Sequence, residues 1–488
     1  MKAYLGIDIG TTAVKAALFD GQGTMLGGGL AEYTLETPAP DIVELDAETY
    51  VDAVCDAVAK ALAAAKLQPT DVRSVGITGQ AETLICVDAD GVPLRKAINW
   101  LDNRAKTEAA DIEKHFGMDW LLKLSGQTEM LPCWPAAKIR WLAANEPSVF
   151  EKTAKYLMVE DFIAHKLTGV FATCVGLMPS TIYYDIATEK YDASMLRYLN
   201  ISESQLPLLK QPGEVAGRCA AGNLCGFAAD TPVSICPLDH VAGCLGAGGG
   251  PGIVTETTGC TLAACATLPK LLYDESRQLG TYHGFTPQSY VFLPWAPTAG
   301  MLLRHFRDYF SNGLDYKQLD ELAAQVPPGS DGLVVLPHCA GAVSPQANPN
   351  ARGVIYGLTL AHKQGHIARA LMESVAALLK DNLDALERFG VEIHELRALG
   401  GASKSPLWLQ IKADLLDKTV TTLACDEATS LGAAMLGAIA AGDFADSAAA
   451  QAAMVHAASS VSPGDNVAAY RPYFAKYQEI NNLLLKTF

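Results

Sequence analysis

The 488-residue chain has 12 cysteines but no Cys-x-x-Cys pair. Dithiol redox motifs and most structural zinc sites use that spacing, so neither is expected. The tightest spacings are Cys260/Cys265 and Cys219/Cys225, while Cys55, Cys86, Cys244 and Cys425 sit in apolar stretches. There a free thiol acts as a small hydrophobe, and reduced cysteines in a cytoplasmic compartment are expected. Basic charge is scarce too, with 37 Lys and Arg against 53 Asp and Glu and a net charge of −16. Without a basic run, a nucleic-acid surface is not expected. A local anion site built from backbone N–H groups needs no net positive charge and stays open. The longest apolar run, LGAAMLGAIAA at 431–441, is far short of the ~20 residues that cross a bilayer, so no membrane partner is expected. The opening MKAYLGIDIG lacks the basic and small-residue flanks of a secretory leader. No G-x-x-x-x-G-K-[ST] occurs, which excludes a P-loop.

Half the residues are hydrophobic, enough for more than one core, which excludes a disordered chain and a small disulfide scaffold. At about 150 residues per domain the length suggests two large domains or three smaller ones. Residues 3–10 form an apolar run ending at Gly10, residues 11–20 follow at once, and Gly-Gln-Gly at 21–23 supplies a turn before a third strand. Val51, Val54, Val58 and Leu62 predict a helix over 47–66, with Asp46 as its N-cap. Residues 73–80 read as a strand, 88–91 as a hairpin turn, and 105–210 as mostly helical. Residues 231–240 read as a strand ending in Asp239 and His240, before a Gly-rich helix start. The run 251–268 repeats the opening theme, so a second domain on the same plan is expected from near residue 246. A long helix is predicted over 363–389, ended by Gly390. Strand and helix then alternate through 395–417, and an Ala-rich helical stretch without evident chemistry fills 443–488. The expected class is α/β, with domains at 1–245 and 246–442 and a C-terminal segment at 443–488 packed on them.

Three corners carry chemistry. Asp8-Ile9-Gly10-Thr11-Thr12, followed by Lys15, puts a carboxylate at a strand tip, then a residue without a side chain, then two hydroxyls. Gly10 lets the backbone approach a phosphate chain, and the N–H and OH groups at 10–12 can donate to it. Asp8 would repel phosphoryl oxygens directly, so it makes sense there only with Mg²⁺ between them. The same residues also suit a plain hairpin corner with Asp8 on the surface. Thr257-Thr258-Gly259-Cys260-Thr261 repeats the logic without the acid. Leu399-Gly400-Gly401-Ala402-Ser403 opens a helix with small residues, leaving room for a flat ring beside free N–H donors.

In this order, these blocks resemble the FGGY family of carbohydrate kinases, in the actin-like ATPase superfamily. The family's first signature, x-P-x-x-K-x-x-W, is matched by Pro135, Lys138 and Trp141, with Cys133 just before it. Its second is matched by 352–376, including Gly357, His366 and Glu373, and its adenosine corner by 399–420. The resemblance spans about residues 3–440. It implies two actin-like (ribonuclease H-like) domains with mixed sheets flanked by helices, and ATP and sugar in the interdomain cleft. It implies Asp239 as the base that takes the sugar hydroxyl's proton, with His240 in packing. The sugar would meet Gln80, Ala81, Glu82, Asp102, Arg104 and Asp239. ATP would meet Gly10, Thr11, Thr12, Lys15, Thr258, Gly259, Thr261, Gly400, Gly401, Ala402 and Ser405, with Mg²⁺ at Asp8.

The substrate positions divide between relatives. Xylulokinases typically show Gln-Met-His where this chain has Gln80-Ala81-Glu82-Thr83, and glycerol kinases show Gln-Arg-Glu-Thr. Trp100, Asp102 and Arg104 instead resemble the xylulokinase run W-x-D-x-R. Residues 341–345 lack the charged pair many relatives carry there. The expectation is an ATP- and Mg²⁺-dependent kinase, with D-xylulose as first acceptor and glycerol or another polyol, ketose or sugar acid as alternatives. A nucleotide switch of the same fold, a degenerate sugar sensor and a homodimeric assembly stay open at this point.

Overall fold

The computed structural model describes residues 2–488. The chain divides into two compact units that interleave along the sequence. Unit 1 holds the residues up to Gly248, Leu268–Val291 and Glu427–Val455. Unit 2 holds Gly249–Thr267, Phe292–Asp426 and His456–Phe488. The linear division expected at 246 and 443 therefore differs from the compact units. The Ala428–Ala440 helix packs in unit 1, and the 443–488 stretch splits between Val455 and His456.

Unit 1 is built on a six-stranded mixed sheet of β1 (Ala3–Ile9), β2 (Ala13–Phe19), β3 (Met25–Glu32), β4 (Val72–Gly79), β5 (Gly217–Arg218) and β6 (Pro232–Ile235), in the spatial order β5-β6-β4-β1-β2-β3. The pairs β1–β2 and β2–β3 are antiparallel, while β1–β4 and β4–β6 are parallel. The run Ala3–Ile9 is buried along nearly its whole length, as a strand covered on both faces must be. Helix α1 (Ala47–Ala65) covers β2 and β3, and its N-cap is Asp46, whose side chain accepts from Glu48 N–H. The Ala428–Ala440 helix packs on β1 and β4. A Cβ at Gly76 would collide with the Ala433 carbonyl oxygen, so glycine there is what lets strand and helix approach. A five-stranded sheet, in the order Glu36–Ala39, Ile42–Leu45, Ala97–Ile98, Leu84–Val87, Lys155–Met158, supports the loops around residues 80 and 100. Beside it, helix α2 (Pro135–Asn145) packs into a core with Trp134, Ile139, Leu142 and Tyr156. The 105–210 region is helical but broken by two short strand pairs, Ala172–Cys174 with Leu208–Lys210 and Tyr184–Asp185 with Lys190–Tyr191.

Unit 2 repeats the plan. Its strands β7 (Gly252–Thr258), β8 (Leu262–Leu268), β9 (Ile393–Leu399), β10 (Thr419–Leu423) and β11 (Ala457–Val461) lie in the order β8-β7-β9-β10-β11. An antiparallel hairpin β7–β8 is followed by the parallel pairs β7–β9 and β9–β10, as in unit 1. The long helix Gln364–Arg388 is present, and Gly390 just beyond it has φ +79°. The tail is not wholly helical, because β11 pairs antiparallel with β10 before the final helix Val467–Leu484. That helix is tied to the core through Tyr470, which donates to Glu373 at 2.9 Å and accepts from Arg369 at 2.8 Å. No helix among the described residues is long and apolar enough to cross a membrane. Cys86 and Cys244 are buried, while Cys55 and Cys425 are partly exposed.

Candidate active site

In unit 1 the carboxyl ends of three parallel strands converge, the place where open α/β sheets bind ligands. β1 ends in Asp8–Gly10, β4 runs into Gln80, and β6 leads to Asp239. The Gln80 N–H donates to Ile9 O at 3.0 Å and the Cys236 N–H to Ile77 O at 2.8 Å. The Thr78 hydroxyl donates to Pro237 O at 2.6 Å, fixing the turn before Asp239. Asp239 opens the helix Asp239–Gly246 as its first residue, and its Oδ1 accepts from His240 N–H at 2.6 Å. Both residues are half-buried.

Asp8 does not sit on the surface. It is half-buried, and its Oδ1 is shut away from solvent with no hydrogen-bond partner. Burial first, and then the negative field of Asp239, push its carboxyl up to about 7, while Lys15 pulls the other way. A buried, unpartnered carboxylate oxygen beside a second carboxylate suits a hard divalent cation. Among the described residues no group of three or more His, Cys, Asp or Glu side chains is placed to hold a metal. Mg²⁺ at Asp8 would therefore take its remaining ligands from phosphate and water, as Mg²⁺ commonly does.

Gly10 closes the first corner by donating to Ala13 O at 3.0 Å, and its carbonyl accepts from the Tyr33 hydroxyl. Thr11 is half-buried and accepts from Trp100 Nε1 at 3.0 Å, whereas Thr12 and Lys15 are exposed. Lys15 forms an ion pair with Glu427 at 2.9 Å.

Ala81 and Glu82 both have left-handed backbone, with φ of +49° and +47°. Two such residues in a row, neither of them glycine, store strain that the surroundings must offset. The turn is fastened from two sides. Lys138 is fully buried, and its ammonium donates to the carbonyls of Glu82 (2.8 Å), Asn99 (2.9 Å) and Ile98 (3.3 Å). Burial lowers its pKa to about 8. From the other side, Glu160 Oε1 accepts from Ala81 N–H at 2.9 Å. Burial pushes the Glu82 carboxyl up to about 7, with Ser180 and Lys138 opposing and Asp239 adding to the rise. Gln80 accepts from Asn99 Nδ2 at 3.0 Å, which joins the 80 and 99 loops.

Asp102 is fully buried and already engaged by internal donors. It accepts from Val43 N–H at 2.6 Å, from Arg104 N–H at 3.0 Å and from the Arg104 guanidinium at 2.9 and 2.7 Å. Arg104 also bonds Glu44 at 2.7 Å and lies over the Trp141 ring at 4.9 Å. With two acceptors and a cation saturated in this way, the pair braces the 99–104 loop.

In unit 2, Thr258 is buried, and its hydroxyl donates to Glu256 Oε2 at 2.7 Å and accepts from Lys412 Nζ at 2.9 Å. Lys412 also meets Glu256 Oε1 at 2.6 Å, with both side chains fully enclosed. Gly259 N–H donates to Thr261 O at 3.0 Å, a tight turn over that pair. Gly400 has φ +81°, and a Cβ there would lie 2.9 Å from Thr258 O, so the two corners touch only because the residue is glycine. Gly401 is exposed with open space over its Cα, while Ala402 is buried. Ser405 caps the helix Pro406–Leu416 by accepting from Trp408 N–H at 3.1 Å.

The sequence pattern alone gives no role to Glu160, Glu256 or Lys412, and none to Lys138 beyond its signature. An acidic residue at a helix start reads as an ordinary dipole partner, and nothing in the sequence pairs Glu256 with Lys412 across 156 positions.

Residues 3–246 match the N-terminal domain, and residues 257–441 the C-terminal domain, of the FGGY family of carbohydrate kinases. The xylulose kinase of Bacillus subtilis is 27% identical over 100% of this chain and 99% of its own. The glycerol kinase of Thermococcus kodakarensis is 30% identical over 91% of this chain and 90% of its own. The solved xylulose kinase of Rhodospirillum rubrum superposes with a TM-score of 0.90 at 27% identity, covering 99% of both chains.

Proposed function

The chain belongs to the FGGY family of carbohydrate kinases, phosphotransferases with an alcohol acceptor, and on that premise we propose that it converts D-xylulose to D-xylulose 5-phosphate with ATP. The observation that carries this reading is the gathering of Asp8, Gln80–Glu82 and Asp239 at the carboxyl ends of neighbouring parallel strands. The sugar lies against Gln80, Ala81 and Glu82, and Asp239 takes the proton of the primary hydroxyl. The freed oxygen attacks the γ-phosphorus as the bond to the β,γ-bridging oxygen breaks, and ADP leaves with that electron pair. Gly10, Thr11 and Thr12 face the phosphates, with Lys15 at the corner's edge. Mg²⁺ held at Asp8 supplies charge neutralisation when bound. Asp102 and Arg104 serve the sugar by holding their loop. Within unit 2 the open surface at Gly401 receives the adenosine, with Ala402 buried behind it and Ser405 fixing the start of the helix that follows.

A second reading rests on Gln80, Glu82 and Thr83, which follow the glycerol kinase pattern, and makes glycerol or a sugar acid the acceptor. Xylulose, glycerol and gluconate kinases all stand among the relatives at 27–30% identity. An ADP-release assay over D-xylulose, glycerol, D-gluconate and other ketoses and polyols, with and without Mg²⁺, tests both. D-xylulose should give the highest kcat/KM. A different preferred acceptor replaces the substrate assignment, and no acceptor-dependent ADP release from folded protein overturns the kinase reading.

A further inference from the structure

Glu160 is fully buried, and no catalytic step uses it. It lies at the start of the helix Val159–Thr168, directly behind the Ala81–Glu82 turn. Its Oε1 takes the Ala81 N–H at 2.9 Å, and its Oε2 is enclosed with no partner. Such a group costs stability unless something is gained in return. The neighbouring backbone is shaped around it, because a Cβ at Gly79 would stand 2.8 Å from Oε1 and 2.7 Å from Ile9 O. The turn it holds contains two consecutive left-handed non-glycine residues and a tight Thr83 N–H to Ala81 O bond of 2.5 Å. Left to itself, such a turn relaxes toward right-handed backbone and swings the Glu82 side chain away.

We propose that Glu160 is a positioning residue for the acceptor site: by accepting the Ala81 N–H it locks the left-handed Ala81–Glu82 turn and so aims the Glu82 carboxyl at the acceptor. This rests on the assignment of Glu82 to the acceptor site. Lys138 grips the same turn through the Glu82 carbonyl, so the strained pair is held at both ends, by an acceptor at Ala81 and a donor at Glu82. Burial pushes the Glu160 carboxyl up to about 8, which keeps it neutral near Glu82 at ordinary pH. A neutral carboxyl can still accept through Oε1, and a glutamine can replace it in that task.

Amide hydrogen exchange and acceptor kinetics on the full chain separate the parts of this proposal. In the wild type, the Ala81 amide should be strongly protected, and exchange at the rate of an open loop overturns the clamp without any variant. Glu160→Leu should speed exchange across 80–84 and raise KM for D-xylulose about ten-fold, the effect of losing roughly one such hydrogen bond. Its kcat should stay within about three-fold, and KM for ATP should not move. Glu160→Gln should restore both the protection and the KM, and a Gln variant as impaired as Leu overturns the proposal. If the turn loosens in Glu160→Leu while KM for D-xylulose is unmoved, the clamp is retained and the assignment of Glu82 to the acceptor fails.

Discussion

The ammonium of Lys138 donates to the backbone carbonyl of Glu82 at 2.8 Å, inside a region with no solvent access to the lysine. Lys138 is thus a strut under the 82 and 98–99 loops, reaching from helix α2 to three carbonyls. Lys138→Met fills similar space but leaves those oxygens without a donor. It should cost about 3 kcal/mol of stability, roughly one for each unsatisfied carbonyl. It should also raise acceptor KM; urea unfolding and acceptor kinetics check both.

If Asp239 takes the hydroxyl proton as proposed, Asp239→Asn removes that acceptor while keeping the side-chain oxygen that receives His240 N–H. Loss of a general base should lower kcat by about 10²–10⁴-fold. Calorimetric affinities for sugar and nucleotide should stay close to wild type, and near-full turnover would remove Asp239 from the base role.

Glu82→Ala should raise KM for the acceptor and leave nucleotide affinity unchanged, read by steady-state kinetics with each substrate varied in turn. An effect on ATP alone would place the carboxyl on the wrong side of the reaction.

Glu256 and Lys412 form a wholly enclosed ion pair at 2.6 Å. Removing one partner strands a buried charge, so Glu256→Gln or Lys412→Met alone should destabilise by about 3–5 kcal/mol. The double variant should be less destabilised than the sum of the two, as a double-mutant cycle in urea would show.

Glu160 gives a pH signature of stability. Its carboxyl is held at about 8 by burial, with Asp161 and Glu82 adding to the rise and the Ala81 N–H opposing it; Tyr33 and Tyr50 also face it. The folded chain keeps this proton over a range where the unfolded chain has released it. The folded state's advantage is complete below the unfolded carboxyl pKa of about 4.3 and is lost as pH rises through about 8. Wild-type Tm should therefore fall more steeply than that of Glu160→Gln between about pH 5 and about pH 8.5. Equal slopes in scanning calorimetry would show that Glu160 does not titrate in that interval.

Local information in the chain determined the strand–turn–strand openings at 3–20 and 251–268, the Asp46 cap, the long helix ending before Gly390 and the placing of Asp8, Gln80 and Asp239 each at a strand end. Each depends on hydrophobic period or turn chemistry over a few residues, or on motifs whose order survives in the chain. Tertiary structure alone decided which polar groups are spent internally and which remain available. Asp102, Arg104 and Thr258 read as ligand-facing, yet they are engaged by Val43, Glu44, Glu256 and Lys412, partners up to 154 positions away. It also decided that Ala428–Ala440 packs on β1 and β4, and that a glutamate at 160 lies behind residue 81. The physical reason is range: backbone conformation responds to near neighbours, whereas burial and hydrogen-bond saturation depend on segments that meet only when the chain folds.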